Sequence, residues 1–192
     1  MKKLIGIKKT KTAVFISGKG SNLKNLIKFS KKKNSLISID LIISNTHKAK
    51  GLKYSKKYNI QKKIINFKNK KLAEKKIFQF LIKKNIKLIC LAGFMKILSK
   101  NFVIKFNGKI INIHPSLLPK YKGLNTHKKA IENNDKFAGC SVHFVTSKVD
   151  SGKIIMQKKV KIRKRDTIIS LAKKVLKKEH LLYPAAIKKI YS

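Results

Sequence analysis

Val14-Phe-Ile-Ser-Gly-Lys-Gly-Ser-Asn-Leu-Lys-Asn-Leu-Ile27 reads as a strand, a glycine loop and a helix in direct succession. Val14 to Ser17 begins as a short β-branched and aromatic run of the kind that forms a buried strand. Gly18-Lys-Gly20 breaks that run, and Leu23, Leu26 and Ile27 then recur at helical spacing. The same alternation continues outward. Ser38 to Ile43, starting near Leu36, is a second strand that exits at Ser44-Asn45. Residues 48–58 read as helical. Asn69 is placed to cap a helix over 70–84 that carries Leu72, Ile77, Phe80 and Leu81. Lys87 to Ala92 is a buried strand ended by Gly93, and residues 95–105 read as a short broken helix. Lys109 to His114 is the next strand. A helix over 126–133 and strands near 140–146 and 153–162 follow. Asp166 or Thr167 caps a last helix with Ile168, Leu171, Ala172, Val175 and Leu182 on one face. Strands alternating with helices predict an α/β fold, a mostly parallel central sheet with helices on both faces, in a single domain over residues 1–192. Residues 1–11 read as a basic, disordered N-terminal extension.

Composition limits what this domain can be. The chain has 192 residues, 43% of them hydrophobic, which is enough for an unaided core. No apolar run approaches the roughly 18 residues that span a bilayer. The basic start has too short an apolar stretch for a secretory signal, and no small-residue cleavage site follows. Cys90 and Cys140 form no CxxC pair and read as reduced, buried thiols of a cytoplasmic protein. The formal net charge is +42. Such a charge ordinarily points to a polyanion partner. Here the basic residues are almost all lysine, with Arg163 and Arg165 the only arginines, and they are spread over every segment. Nucleic-acid readers favour arginine for its planar fork. Specific nucleic-acid binding is therefore not expected, although the field would attract anions and polyanions nonspecifically. The lysine patches, such as Lys31-Lys-Lys33, read as solvated surface.

Four places carry candidate chemistry. In Ser17-Gly-Lys-Gly-Ser-Asn22, glycines let the backbone approach an anion, and the next helix aims its free N–H groups at it. The spacing is neither GxGxxG nor a P-loop, and a plain strand-to-helix turn fits equally well. In Ile111-Asn-Ile-His-Pro-Ser-Leu-Leu-Pro-Lys-Tyr-Lys-Gly123, Asn112 and His114 are two residues apart and share one face of a strand that Pro115 ends. A carboxamide and an imidazolium there could both donate to a developing oxyanion, and losing one such donor costs ~10²–10³ in rate. A structural histidine capping the strand is the alternative. Asp150 lies in Val149-Asp-Ser-Gly152, where a carboxylate near His114 would favour the protonated imidazole; an Asp-Ser-Gly turn is the plainer reading. Glu179 is an acid on an apolar helix, either functional or half-exposed. Only seven acids occur in the chain, so each has weight.

Taken together, these stretches resemble the folate-dependent glycinamide ribonucleotide formyltransferases. The resemblance rests on Ile16 to Leu23, Leu91-Ala-Gly-Phe-Met-Lys-Ile-Leu-Ser99, Ile111 to Gly123, Ser141-Val-His-Phe-Val-Thr146 with Asp150 and Gly152, and Glu179-His-Leu-Leu-Tyr-Pro184. They follow that family's order and spacing over nearly the whole chain. The resemblance implies a Rossmann-like formyltransferase fold. It also implies transfer of a formyl group from 10-formyltetrahydrofolate, a co-substrate, to the amine of 5-phosphoribosylglycinamide in purine biosynthesis, with no metal. By the same resemblance, Asn112, His114 and Asp150 are the catalytic set. Gly20, Ser21 and Asn22 would hold the phosphate, and Glu179 the glycinamide. Met95, Lys96, Ile97 and Leu98, with Asn112 and Lys70, would meet the folate. Lys96 stands where the family carries arginine, which removes the planar fork. The expected partners are small molecules, with no membrane, and the expected state is monomer or homodimer.

Three other readings make different demands. A methionyl-tRNA formyltransferase shares the Asn-x-His site but normally adds a C-terminal domain. A formyltetrahydrofolate hydrolase has the same catalytic set but usually an N-terminal regulatory domain. A basic nucleic-acid-binding protein explains the charge and leaves the site unexplained.

Overall fold

The computed structural model describes residues 9–191. Strand β1 (Thr10–Ile16) is followed by helix α1 (Ser21–Ser30) and strand β2 (Ile37–Ser44). A 3₁₀ turn (Lys50–Leu52) runs into α2 (Lys53–Tyr58). Then come β3 (Gln61–Ile64), α3 (Lys70–Lys83), β4 (Leu88–Leu91), α4 (Lys100–Lys105) and β5 (Lys109–His114). The chain ends with α5 (Thr126–Glu132), β6 (Phe137–Phe144), β7 (Ile154–Lys161) and α6 (Ile168–Tyr191). The seven strands form one sheet in the order β3-β2-β1-β4-β5-β6-β7. The strands from β3 to β5 pair in parallel, and β6 and β7 add antiparallel.

Alternation in β1 shows why the sheet is covered on both faces. Val14 and Ile16 join a core with Leu23, Leu26 and Ile27 of α1 and Leu171, Val175 and Leu182 of α6. Ala13 and Phe15 point the other way, into a core with Ala73, Ile77 and Leu81 of α3 and Phe102 of α4. Each such aliphatic side chain, fully buried, contributes about 1.5–3 kcal/mol relative to exposure. A strand buried on both faces has to read as a continuous apolar run, and β1 and β4 do.

Several expectations change at their edges. Thr10 and Lys11 pair with Ile37 and Ser38, so the extension predicted over 1–11 gives its last two residues to the sheet; residues 1–8 lie outside the described residues. The helix predicted over 95–105 begins only at Lys100, because Ser99 accepts the Phe102 N–H as its cap. Strand β5 is as predicted, but β6 lies at 137–144 rather than 140–146. Gln61–Ile64 is an edge strand with two exposed residues, and its polar sequence carried no strand signal. Thr167 rather than Asp166 caps α6: Thr167 Oγ1 accepts the Ser170 N–H at 3.1 Å, while Asp166 Oδ2 accepts the Arg163 N–H. None of the described helices is long and apolar enough to cross a membrane.

From β1 the chain builds outward to β3, then returns to the opposite side of β1 as β4. That reversal opens a crevice beyond the carboxyl ends of β1 and β4, the place where open α/β sheets bind ligands.

Candidate active site

Asn112 and His114 occupy alternate positions near the end of β5 and point to one face of the sheet, while Ile111 and Ile113 pack into the opposite core. The antiparallel partner β6 sets His143 directly across from Asn112. Opposed residues of paired strands share a face, so a second imidazole joins the pair. Asp150 arrives from the β6–β7 connection with a left-handed backbone, φ 45°. Strain of this kind at a non-glycine residue is held in place by its surroundings, and it clusters at functional sites.

The four side chains form one network. Asp150 Oδ2 lies 3.3 Å from His114 Nδ1 and accepts the Gly123 N–H at 2.9 Å. Asp150 Oδ1 accepts from Asn112 Nδ2 at 3.3 Å and lies 3.5 Å from His143 Nε2. His114 Nε2 is 2.8 Å from the Tyr121 carbonyl. Both His114 nitrogens therefore face oxygens that only accept, and the imidazolium is the form that donates to both. His143 Nδ1 faces the Phe144 carbonyl at 2.8 Å. Its Nε2 lies 3.2 Å from Asn112 Nδ2 and 3.5 Å from Asp150 Oδ1, so it accepts from the amide when neutral and donates to the carboxylate when protonated. Burial pushes the Asp150 carboxyl up, but His143, the Gly123 N–H and the nearby charge of His114 outweigh it and hold the group below its ordinary range.

A second pair lies across the cleft. Asn22, in the first turn of α1, donates from Nδ2 to Glu179 Oε2 of α6 at 2.7 Å. Glu179 is buried rather than half-exposed, and burial raises its pKa, with the Asn22 bond opposing in part. Asn22 Oδ1 is buried with no partner, so it is free to accept from a ligand. Gly20 precedes α1 at φ 74°, and no side chain caps that helix; its first N–H groups have no partner within the helix.

One cleft of about 640 Å³ takes in both pairs, with Met95, Lys96, Ile97 and Leu98 along a further wall. Met95 and Ile97 are 62% exposed there, and Leu98 is buried. The structure thus brings together Asn112, His114, Asp150, Asn22, Glu179 and the Met95–Leu98 segment. Gly20 and Ser21 lie at the α1 N-terminus and do not line this cleft. Lys70, exposed at the start of α3, is also outside its walls. Among the described residues, no group of three or more His, Cys, Asp or Glu is arranged to hold a metal ion.

Three participants carried no role in the sequence reading. His143 needed the β5–β6 register to be found. Tyr121 acts through its carbonyl, which is invisible in a side-chain reading. Gly51 packs against the glycine loop: its N–H donates to Gly18 O at 3.0 Å, and a Cβ on Gly20 would lie 2.6 Å from Gly51 Cα.

The fold and this site define an α/β protein whose cleft, at the switch point of the sheet, holds an imidazole–carboxylate pair beside a carboxamide. Comparison with known proteins agrees. The sequence pattern described as "Formyl transferase" matches residues 10–187. The phosphoribosylglycinamide formyltransferase of Haemophilus influenzae is 42% identical over 181 residues, covering 93% of this chain and 85% of that protein. The human trifunctional purine biosynthetic protein adenosine-3 is 44% identical over 188 residues, covering 96% of this chain and 19% of that protein. The chain spans between 13% and 19% of the length of the trifunctional relatives it matches. The crystal structure of phosphoribosylglycinamide formyltransferase from Brucella melitensis superposes with a TM-score of 0.91 at 39% identity, covering 95% of this chain and 96% of that one. The chain belongs to the formyl transferase family, in its phosphoribosylglycinamide formyltransferase branch.

Proposed function

We propose that this chain transfers the formyl group of 10-formyltetrahydrofolate to the amine of 5-phosphoribosylglycinamide in de novo purine biosynthesis. The observation that carries the reading is the His114–Asp150 pair, at 3.3 Å, beside Asn112 at the mouth of the cleft. The substrate amine attacks the formyl carbon, and its C=O becomes a tetrahedral oxyanion. The His114 imidazolium donates to that oxygen from Nε2, which exchanges the Tyr121 carbonyl for it, while Asp150 at Nδ1 balances its charge. Preorganised donors of this type are often the largest single contribution to catalysis. Both Asn112 amide hydrogens are engaged by Asp150 and His143, so Asn112 reaches the oxyanion by exchanging one of those partners. The intermediate then collapses: the bond from carbon to the folate nitrogen breaks, that nitrogen gains a proton, and the amine nitrogen loses one. In this reading Asp150 organises a water that relays the proton.

The α1 N-terminus at Gly20, Ser21 and Asn22 suits the phosphate, since unpartnered N–H groups favour an anion. Glu179 and the free Asn22 Oδ1 suit the N–H donors of glycinamide. The apolar wall from Met95 to Leu98 suits the pterin ring. Lys70, outside the walls, would meet only a ligand part that extends beyond the cleft. We place the enzyme in the cytoplasm as one formyltransferase domain, a monomer or homodimer, with the folate as co-substrate.

The test is an assay of the purified chain with 10-formyltetrahydrofolate, with and without 5-phosphoribosylglycinamide. Formyl transfer that needs both is expected. Folate turnover without the ribonucleotide would make the chain a hydrolase. No turnover, with tight and steeply salt-dependent RNA binding, would make it a nucleic-acid-binding protein.

A further inference from the structure

Glu179 and Glu74 are acidic residues more than nine-tenths buried over the whole residue. Glu179 lines the cleft. Glu74, on α3, does not, and none of the ion pairs found among the described residues includes it. A buried, unpaired carboxylate is costly unless hydrogen bonds satisfy it. Ser99 supplies them: its N–H donates to Oε1 at 2.7 Å and its hydroxyl to Oε2 at 2.5 Å. The same hydroxyl accepts the Phe102 N–H at 3.0 Å and so caps α4. Glu74 therefore fixes the residue at which the cleft wall Met95–Leu98 ends.

The wall is pinned at its other end too. Ser17 donates its N–H to Gly93 O at 3.0 Å. Its hydroxyl accepts the Met95 N–H at 2.8 Å and donates to Asn45 Oδ1. Phe94 packs edge-on against Phe15 and Phe67. Between the pins the segment is irregular, and its apolar side chains Met95 and Ile97 are mostly exposed. Of the four wall residues only Leu98 is anchored in the core, so the shape of Met95–Ile97 depends on that anchor and on the bonds at the two ends of the segment.

We infer that Glu74 is a positioning residue for the folate: through the Ser99 N–H and hydroxyl it holds the Met95–Leu98 wall in the shape that receives the pterin. The inference rests on the proposed function and adds a residue remote from the reacting atoms. Glu74→Gln keeps the side-chain shape but offers the Ser99 hydroxyl one acceptor fewer. Ser99→Ala removes the hydroxyl, and Ser99→Thr retains it.

The experiment is steady-state kinetics on the full chain with each substrate varied, together with thermal unfolding and calorimetric binding of the ribonucleotide. Glu74→Gln and Ser99→Ala should raise the KM for 10-formyltetrahydrofolate about tenfold, the loss of one charge-assisted hydrogen bond. The KM and Kd for the ribonucleotide should stay at wild-type values, and Ser99→Thr should restore the folate KM. An unchanged folate KM overturns the inference, and so does a parallel rise for both substrates, which would mark a general loss of structure. If Glu74→Gln fails to fold, the contrast between Ser99→Ala and Ser99→Thr decides alone. A wild-type chain with no transfer sinks the proposed function and the inference with it; an active wild type with unaffected variants sinks only the inference.

Discussion

Asn22 and Glu179 are 157 residues apart in sequence, yet the Asn22 amide donates to the Glu179 carboxylate at 2.7 Å. This bond ties the first turn of α1, behind the glycine loop, to the middle of α6. Two short segments, each ambiguous alone, become one side of one cleft.

The pair predicts a conflict between stability and activity. Burial raises the Glu179 pKa, so the folded chain holds that proton more tightly than the unfolded chain. The ionised form then costs stability above the raised pKa, and stability is gained as pH falls through it. Glu179→Gln removes the cost. At neutral pH its melting temperature should equal or exceed that of the wild type, while the KM for the ribonucleotide rises about ten- to a hundredfold. A clear drop in melting temperature with normal kinetics would contradict both halves.

Asp150 gives the opposite pH dependence. Its pKa is held below the ordinary 3.8, with His143, the Gly123 N–H and His114 overcoming its burial. Its contribution to stability is complete above that ordinary value and is lost as pH falls through the lowered one. Asp150→Asn should therefore lack this acid-sensitive component in unfolding curves taken from pH 5 downward. At neutral pH it should cut turnover at least ~100-fold while the far-UV spectrum is preserved, as His114→Ala should. Near-normal turnover in either variant would remove the pair from the mechanism.

Gly51 should matter to the ribonucleotide although it was no candidate in the sequence. A Cβ there would lie 2.8 Å from Ile16 Cδ1 and 2.9 Å from Gly20 Cα. Gly51→Ala has to displace the glycine loop, because the Gly20 backbone cannot give way as a side-chain tip does. Calorimetry should show ribonucleotide binding weakened by about tenfold or more, with folate binding retained; a 1 Å misplacement costs on that scale. Equal binding of both ligands would show that the loop tolerates the methyl.

The two cysteines should be inert in the folded chain. Burial pushes both thiols up to about 12, and the thiolate is the reactive form. A thiol reagent at pH 8 should label neither Cys90 nor Cys140 until denaturant is added. Rapid labelling under native conditions would contradict their burial.

Much of the site was legible in the chain because its signals are local. Asn112 and His114 share a face by strand periodicity, and Pro115 ends the strand, so the pairing holds whatever the neighbours are. The glycine loop is equally local, since φ 74° at Gly20 suits glycine alone at no cost. Glu179 was less legible: helical spacing locates it on an apolar helix but cannot say that Asn22 meets it. Gln61–Ile64 was missed because an edge strand with exposed residues needs no apolar run. The start of α4 was misplaced because its limit is a cap reinforced by Glu74, a residue on another helix.

The sequence by itself determined most of the strands and helices, and which polar groups stand at their ends, because those properties depend on spacings of two to four residues. Tertiary structure decided the rest. The return of β4 to the far side of β1 opened the cleft. The β5–β6 register set His143 against Asn112, and packing of the 3₁₀ turn brought Gly51 against Gly20. Each is a pairing between distant segments, chosen by the burial of whole faces and by hydrogen-bond register, and no local pattern of residues encodes that choice.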